Sequence, residues 1–149
     1  MEILKIIKST VPQPIEVEAM LNLLYSSNWV LSNLNKFLKP FGITQQQYNA
    51  LRILRGQHPK PASVKLVRER LLVKLSDTSR LVDRLVKNEW VTQNLNKNDG
   101  RAVDIIITEK GLALLKTIDE AEPLMLKIMQ NLSQSELAQL STLLERLRG

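Results

Sequence analysis

The sequence contains no cysteine, which excludes disulfide bonds, thiolate nucleophiles and cysteine-based metal sites. It has a single histidine, and its acidic residues are scattered, so it offers little basis for a metal site. It also has no glycine-rich phosphate loop and no serine–histidine–aspartate grouping. The sequence therefore predicts a protein that is not an enzyme and that needs no cofactor or metal.

Long hydrophobic runs are missing as well. No stretch of about 18 uninterrupted apolar residues occurs, which argues against a membrane-spanning helix. The first ten residues are too short and too mixed for a secretory signal. We therefore expect a cytoplasmic protein with no membrane partner. With 149 residues, 44% of them hydrophobic and 24% charged, the chain can form one domain with a sizeable core.

Positive charge is concentrated in the middle of the chain. Residues 60–101 contain ten basic and five acidic residues, a net charge of +5. Residues 102–149 contain five basic and seven acidic residues, a net charge of −2. A local excess of lysine and arginine favours a polyanionic partner such as DNA.

Residues 76–87, inside this basic region, have two different faces when read as a helix. The i, i+3, i+4, i+7 positions of an apolar stripe are occupied by Thr78, Leu81, Val82 and Leu85. The opposite side carries Ser79, Arg80, Asp83, Arg84 and Lys87. Hydroxyl and guanidinium groups bind DNA phosphates and base edges, but a charged, solvated surface helix shows the same pattern. The segment alone leaves both interpretations open.

The rest of the chain is predominantly helical by pattern. Residues 1–15 indicate an extended arm or a short helix, and apolar spacing predicts helices over 16–38, 44–56 and 62–72. Helix starts are marked by the capping-box pairs Thr44–Gln47 and Ser133–Glu136, by Thr108, and by Ser76. Pro123 should kink or break the helix that follows Thr108.

Two β-branched runs, residues 90–95 and 102–107, flank an Asp-Gly turn and predict a β-hairpin with a polar, basic tip. A pair of closely spaced helices followed by such a hairpin is a winged helix-turn-helix. The predicted fold class is mainly α (α+β winged helix-turn-helix). It has about six helices, with one β-hairpin as the wing.

Within residues 76–111 the sequence resembles the MarR family of bacterial transcriptional regulators. The similarity is carried by Ser79–Leu85, by Asp99-Gly100-Arg101 and by Ile107–Gly111. The family's wing signature is an aspartate, any residue, an arginine and a later Leu/Ile-Thr pair. Asp99, Arg101, Ile107 and Thr108 match it. The order of elements extends the resemblance to nearly the whole chain from about residue 16.

The resemblance implies an obligate homodimer. Residues 1–42 and 109–149 would form its helical dimerisation region, and residues 44–108 its winged-helix lobe. Two lobes would read a palindromic operator in double-stranded DNA, and the protein would be a repressor that responds to a small-molecule effector. A winged-helix protein–protein adaptor without DNA readout is the alternative, because a fold does not by itself specify function.

We expect DNA contacts from the residue 76–87 helix, the wing and one preceding lysine. The expected residues are Ser76, Thr78, Ser79, Arg80, Arg84, Lys87, Lys65, Lys97, Asn98 and Arg101. Asp83 and Asp99 are expected to orient arginines through charge-assisted bonds; by the resemblance, Asp99 directs Arg101 toward the minor groove. By the same resemblance, an effector pocket would be lined by Trp29, Tyr48 and His58.

The sequence departs from the family's usual pattern at three places. The turn at residues 72–75 lacks the glycine that family members often have. Asn88-Glu89-Trp90 replaces a common Lys-Gly-Leu after the recognition helix. In the wing, Gly100 takes the place of a second arginine, which removes one positive charge.

Overall fold

The computed structural model describes residues 2–6, 8, 10–73, 76–96 and 103–149. Within these residues the chain forms seven α-helices and three β-strands, which confirms the mainly α winged-helix fold. The elements in order are α1 (Glu2–Ile6), α2 (Ile15–Leu38), α3 (Gln45–Gln57), β1 (Ala62–Ser63), α4 (Val64–Arg70), α5 (Thr78–Lys87), β2 (Val91–Leu95), β3 (Val103–Ile107), α6 (Glu109–Leu126) and α7 (Gln134–Arg148). None of the described helices is long and apolar enough to cross a membrane.

Three predicted helix starts are confirmed by side-chain hydrogen bonds. Thr44 Oγ1 accepts from Gln47 N, and Gln47 Oε1 accepts from Thr44 N, so α3 begins with a complete capping box. Ser133 and Glu136 form the same arrangement at α7, where hydrogen bonds from the Ser133 backbone and hydroxyl lower the pKa of Glu136. Gly111 N donates to Thr108 Oγ1 at the start of α6. These bonds satisfy N–H groups that a helix leaves unpaired at its start.

One expectation about a helix start is wrong, and one about a helix interior is narrowed to one of its two alternatives. The N-cap of α5 is Asp77, not Ser76: Asp77 Oδ1 accepts from Arg80 N at 3.0 Å. Serine and aspartate are about equally good N-caps, so the sequence could not choose between neighbours. At Pro123, for which a kink or a break was expected, α6 does not break but continues to Leu126 before a 3₁₀ turn over Lys127–Met129, and the kink stays a prediction.

The sheet contains one strand that the sequence did not reveal. The order is β1-β3-β2, with both pairings antiparallel and Val91 opposite Ile107 in the hairpin. The hairpin strands confirm the predicted wing, whose connecting residues 97–102 lie outside the described residues. The missed strand, β1, has only two residues and pairs Ala62 with Ile105. Two residues are too few to show a periodic pattern, and Ser63 at its end also caps α4.

The described chain divides into two compact units. The terminal unit consists of the residues up to Lys36 and those from Met125 onward, and the winged-helix unit is Phe37–Leu124. The fully buried side chains that form the core of the winged-helix unit are Leu38, Leu51, Leu54, Val67, Val82, Leu85, Ile105, Leu115 and Ile118. These units are defined by compactness and not by function, so the predicted dimerisation region stays a prediction.

The junction between α5 and the wing contains a strained residue. Glu89 has a φ of +61°, in the left-handed region, at the position where the resembled family often has glycine. Thr108 Oγ1 donates to the Glu89 carbonyl at 2.7 Å, and Lys110 Nζ lies 2.7 Å from Glu89 Oε2. The bond from Lys110 lowers the pKa of Glu89. Gly111 follows this junction, where any larger residue would clash because its Cβ would overlap the Trp90 carbonyl oxygen.

Replacing Glu89 with glycine should relieve this backbone strain. An L-residue pays about 1–2 kcal/mol in the left-handed region, and glycine enters it almost freely. The matched control is Glu89→Gln, which also loses the ion pair with Lys110 but keeps the strained backbone. We expect Glu89→Gly to melt at a higher temperature than Glu89→Gln by differential scanning calorimetry. A lower melting temperature for the glycine variant would contradict this account.

Candidate nucleic-acid interface

Helix α5 separates its apolar and polar residues as the sequence predicts. The inward stripe is buried, with side chains 4%, 7%, 1% and 0% exposed at Thr78, Leu81, Val82 and Leu85. The outward residues Ser79, Arg80, Asp83, Arg84 and Lys87 are all exposed. The helix is therefore attached to the core by one side and presents hydroxyl, guanidinium and ammonium groups on the other.

The start of α3 lies beside the start of α5. A cleft of about 320 Å³ between them is lined by Thr44, Gln46, Gln47, Ser76, Asp77, Arg80, Leu81 and Arg84. Both outward arginines thus border the same polar cleft. The α3 residues were missing from the predicted site because their proximity to α5 arises only when the chain folds.

Arg80 is held by a carboxylate that the sequence analysis did not single out. Asp77 Oδ2 lies 3.0 Å from Arg80 Nε, while the Arg80 side chain stays 80% exposed. Asp83, the predicted arginine-orienting residue of this helix, makes no ion pair among the described residues, so in the free chain Asp77 has that contact. Asp77 and Asp83 both lie three residues from Arg80, so the i, i+3 spacing that brings an acid beside an arginine could not choose between them.

The other predicted contacts lie in several places. Ser76 precedes α5 and is exposed, and Lys87 is the last residue of that helix. Lys65, in the first turn of α4, is exposed and lies 4.0 Å from Glu69. The predicted wing residues Lys97, Asn98 and Arg101, and the orienting residue Asp99, lie outside the described residues.

The structure corrects the expectation that Thr78 contacts DNA. Its side chain is buried at the inner side of α5, and no described residue forms a hydrogen bond with its Oγ1. Thr78 belongs to the stripe of i, i+3 and i+4 positions that packs on the core. Its hydroxyl could reach a DNA groove only if α5 were displaced from the core.

The predicted effector-pocket residues are not gathered together in the winged-helix unit. Tyr48 is buried near the start of α3; burial raises its pKa, and the Arg52 guanidinium lies 5.7 Å from its ring centroid. His58 is the exposed C-cap of the same helix, about 15 Å farther along at 1.5 Å per residue. Trp29 belongs to the terminal unit and is 44% exposed. The pocket stays a prediction.

Comparison with known proteins now identifies the family. The profile of the MarR family matches residues 41–102. The chain is 33% identical over 116 residues to the Multiple antibiotic resistance protein MarR of Escherichia coli strain K12, covering 76% of this chain and 78% of the relative. The chain belongs to the MarR family. Members of the MarR family are transcription regulators and not enzymes. The predicted family and the prediction that the protein is not an enzyme are therefore both confirmed.

Two further relatives are informative. The Transcriptional repressor MprA of Escherichia coli strain K12 is 31% identical over 94 residues, covering 60% of this chain and 51% of that protein. A crystal structure of mutant MarR from E. coli complexed with operator DNA matches with a TM-score of 0.77 and 28% identity. That match covers 89% of this chain and 95% of the other.

The buried hydroxyl of Thr78 allows a test of whether this residue packs on the core or contacts DNA. Thr78→Val replaces an unpaired buried hydroxyl with a methyl group, and leaving such a group unpaired costs about 1–3 kcal/mol. We expect Thr78→Val to raise the free energy of unfolding in urea and to leave DNA affinity unchanged. Thr78→Ser keeps the hydroxyl and loses a buried methyl, so it should be less stable than the natural chain. Weaker DNA binding by the valine variant at normal stability would instead place Thr78 in the binding site.

Proposed function

We propose that this MarR family protein binds a palindromic operator in double-stranded DNA, with α5 as its recognition helix. The observation that supports the proposal is the division of α5 into a buried apolar stripe and an exposed row of serine, arginine and lysine. An α-helix with its side chains is about 10–12 Å across, which suits a major groove about 12 Å wide. The structure of the related mutant MarR complexed with operator DNA supports DNA binding by this chain.

Each exposed side chain of this surface has a chemical role in the proposal. Ser79 and Arg80 lie in the first turn of α5, where they can reach base edges. Arg84 and Lys87 follow one and two turns later and contact phosphates, which supply affinity without sequence preference. Ser76 and Lys65 add phosphate contacts at the edges. The minor-groove role of Arg101, its orientation by Asp99 and the DNA contacts of Lys97 and Asn98 stay predictions.

The terminal unit supplies the surface for a homodimer. On α7, Leu140, Leu143 and Leu147 recur at three- and four-residue spacing and are 40%, 58% and 67% exposed. On α2, Met20, Leu23 and Leu24 are exposed as well. A protein does not leave apolar stripes of this length in water without a cost, so they mark an interface. A second copy of the chain covers the apolar stripes of α7 and α2 and contributes the second α5.

Dimerisation connects the terminal unit to operator recognition. Two recognition helices enter successive major grooves when they lie about 34 Å apart, one turn of DNA. We propose that the bound dimer represses transcription, as the name of the relative MprA indicates for that protein. We further propose that an effector that changes the separation of the two helices releases the operator, and that the protein is cytoplasmic.

Arg80→Ala should weaken operator binding while leaving the dimer intact. A good arginine–base pair contributes about 1–3 kcal/mol, so we expect roughly a tenfold or greater rise in Kd. The operator can be a duplex selected from a random pool, with Kd measured by fluorescence anisotropy and mass by sedimentation. Lys116→Ala, which removes an exposed positive charge on α6, is the control and should change Kd little.

Measuring the affinity for DNA as salt rises, in the same assay, tests the alternative of a protein–protein adaptor without DNA readout. A DNA-binding protein loses affinity for random duplex steeply as salt rises, because its phosphate contacts release counterions. If the natural chain binds neither the selected pool nor random duplex at low salt, the adaptor replaces the regulator as the better proposal.

Charged residues on the exposed face of α7 should separate the dimer. In the double variant Leu143→Glu, Leu147→Glu, two carboxylates would have to be buried at the interface, which costs several kcal/mol per ion. We expect a monomer by light scattering and a large loss of operator affinity. Ser141→Glu, a control at an exposed polar position of the same helix, should remain dimeric. A dimeric double variant would exclude this face from the interface.

A further inference from the structure

The Asp77 carboxylate makes two different bonds to the same residue. Its Oδ1 accepts from the Arg80 backbone N at 3.0 Å, which caps α5. Its Oδ2 lies 3.0 Å from Nε of the Arg80 side chain. The first bond needs only an oxygen acceptor at the cap position. The second needs a negative charge, and it determines where the guanidinium of Arg80 lies.

This contact distinguishes Arg80 from the other arginine of the cleft. Arg84 borders the same cleft, yet among the described residues its guanidinium makes no ion pair. Arg80 is restrained at Nε, and its terminal Nη groups, on a side chain 80% exposed, remain available as donors. A fixed planar fork suits bidentate contact with a base edge, whereas a free arginine follows any phosphate.

The negative charge of Asp77 has a second consequence. It offsets the charge of Arg80 and repels phosphates, so it lowers affinity for DNA of any sequence. An acid at the DNA-facing end of a recognition helix therefore weakens general attraction while it orders one base-reading side chain. Specificity is a difference between two affinities, and both effects increase it.

We propose that Asp77 is a positioning residue that sets the sequence discrimination of Arg80. The inference rests on the proposed function, since it requires α5 to enter the groove. In this arrangement Asp77 touches no base. It holds the Arg80 fork in the orientation of base contact, and it prevents Arg80 from acting as one more phosphate-binding charge.

Asp77→Asn tests the proposal because asparagine caps a helix about as well as aspartate does but carries no charge. The measured quantity is the ratio of Kd for random duplex to Kd for a duplex selected by the natural chain. We expect this ratio to fall roughly tenfold, the scale of one bidentate base contact. Affinity for random duplex should rise, and its log–log salt slope should steepen by about 0.9 as Arg80 gains a phosphate.

Asp83→Asn is the charge-matched comparison, since it removes one negative charge from the exposed face of the same helix. It should strengthen binding to both duplexes and leave their ratio unchanged. In an Arg80→Lys background the ratio is already low, and adding Asp77→Asn should lower it no further. An unchanged ratio for Asp77→Asn, an equal fall for Asp83→Asn, or additive losses in the double variant would each overturn the proposal.

These measurements distinguish a failure of the Asp77 proposal from a failure of the proposed operator binding. If the natural chain selects no preferred duplex, the proposed function fails. If it selects one and Asp77→Asn keeps the full ratio, only the role of Asp77 fails. Thermal melting of each variant checks folding, and Asp77→Ser, which also retains a capping oxygen, is measured in the same way. Loss of the ratio in both variants at normal melting temperature assigns the effect to the carboxylate charge.

Discussion

Burial of the apolar stripe of α5 is the packing interaction on which the rest of the winged-helix unit depends. Val82 and Leu85 are almost completely buried in a core that also contains Leu51 of α3 and Ile105 of β3. Because this packing sets the rotation of α5 about its axis, it decides which residues project outward. Tight packing leaves little freedom for that rotation, so the exposed row is presented as one fixed surface.

In the proposed function, the charges on that surface affect two quantities, the affinity for DNA of any sequence and the preference for one sequence. The basic excess of residues 60–101 attracts a polyanion of any sequence. In the proposed complex, Asp77 opposes part of this attraction, and its ion pair with Arg80 orients the guanidinium toward a base. A regulator needs this balance because the genome offers far more nonspecific sites than operators.

Much of the fold could be predicted because its signals are local. The capping pair Thr44–Gln47 and the i, i+3, i+4 stripes act within one or two helical turns, so sequence spacing reports them directly. The choice of Asp77 over Ser76 as a cap could not be predicted, since neighbouring residues of similar capping strength differ only in how the preceding turn enters the helix. At Pro123 the sequence left a kink or a break open, and α6 continues through the proline to Leu126.

The sequence by itself determined which side of α5 is apolar, where the positive charge lies and, through the wing residues and element order, the family. Only the tertiary structure decided that β1 joins the sheet, that the start of α3 borders α5, and that Asp77 rather than Asp83 holds Arg80. The physical reason is range. Helix periodicity and capping are set by residues a few positions apart, whereas pairing across a sheet, burial and the direction of a long side chain depend on distant segments that meet only in the folded chain.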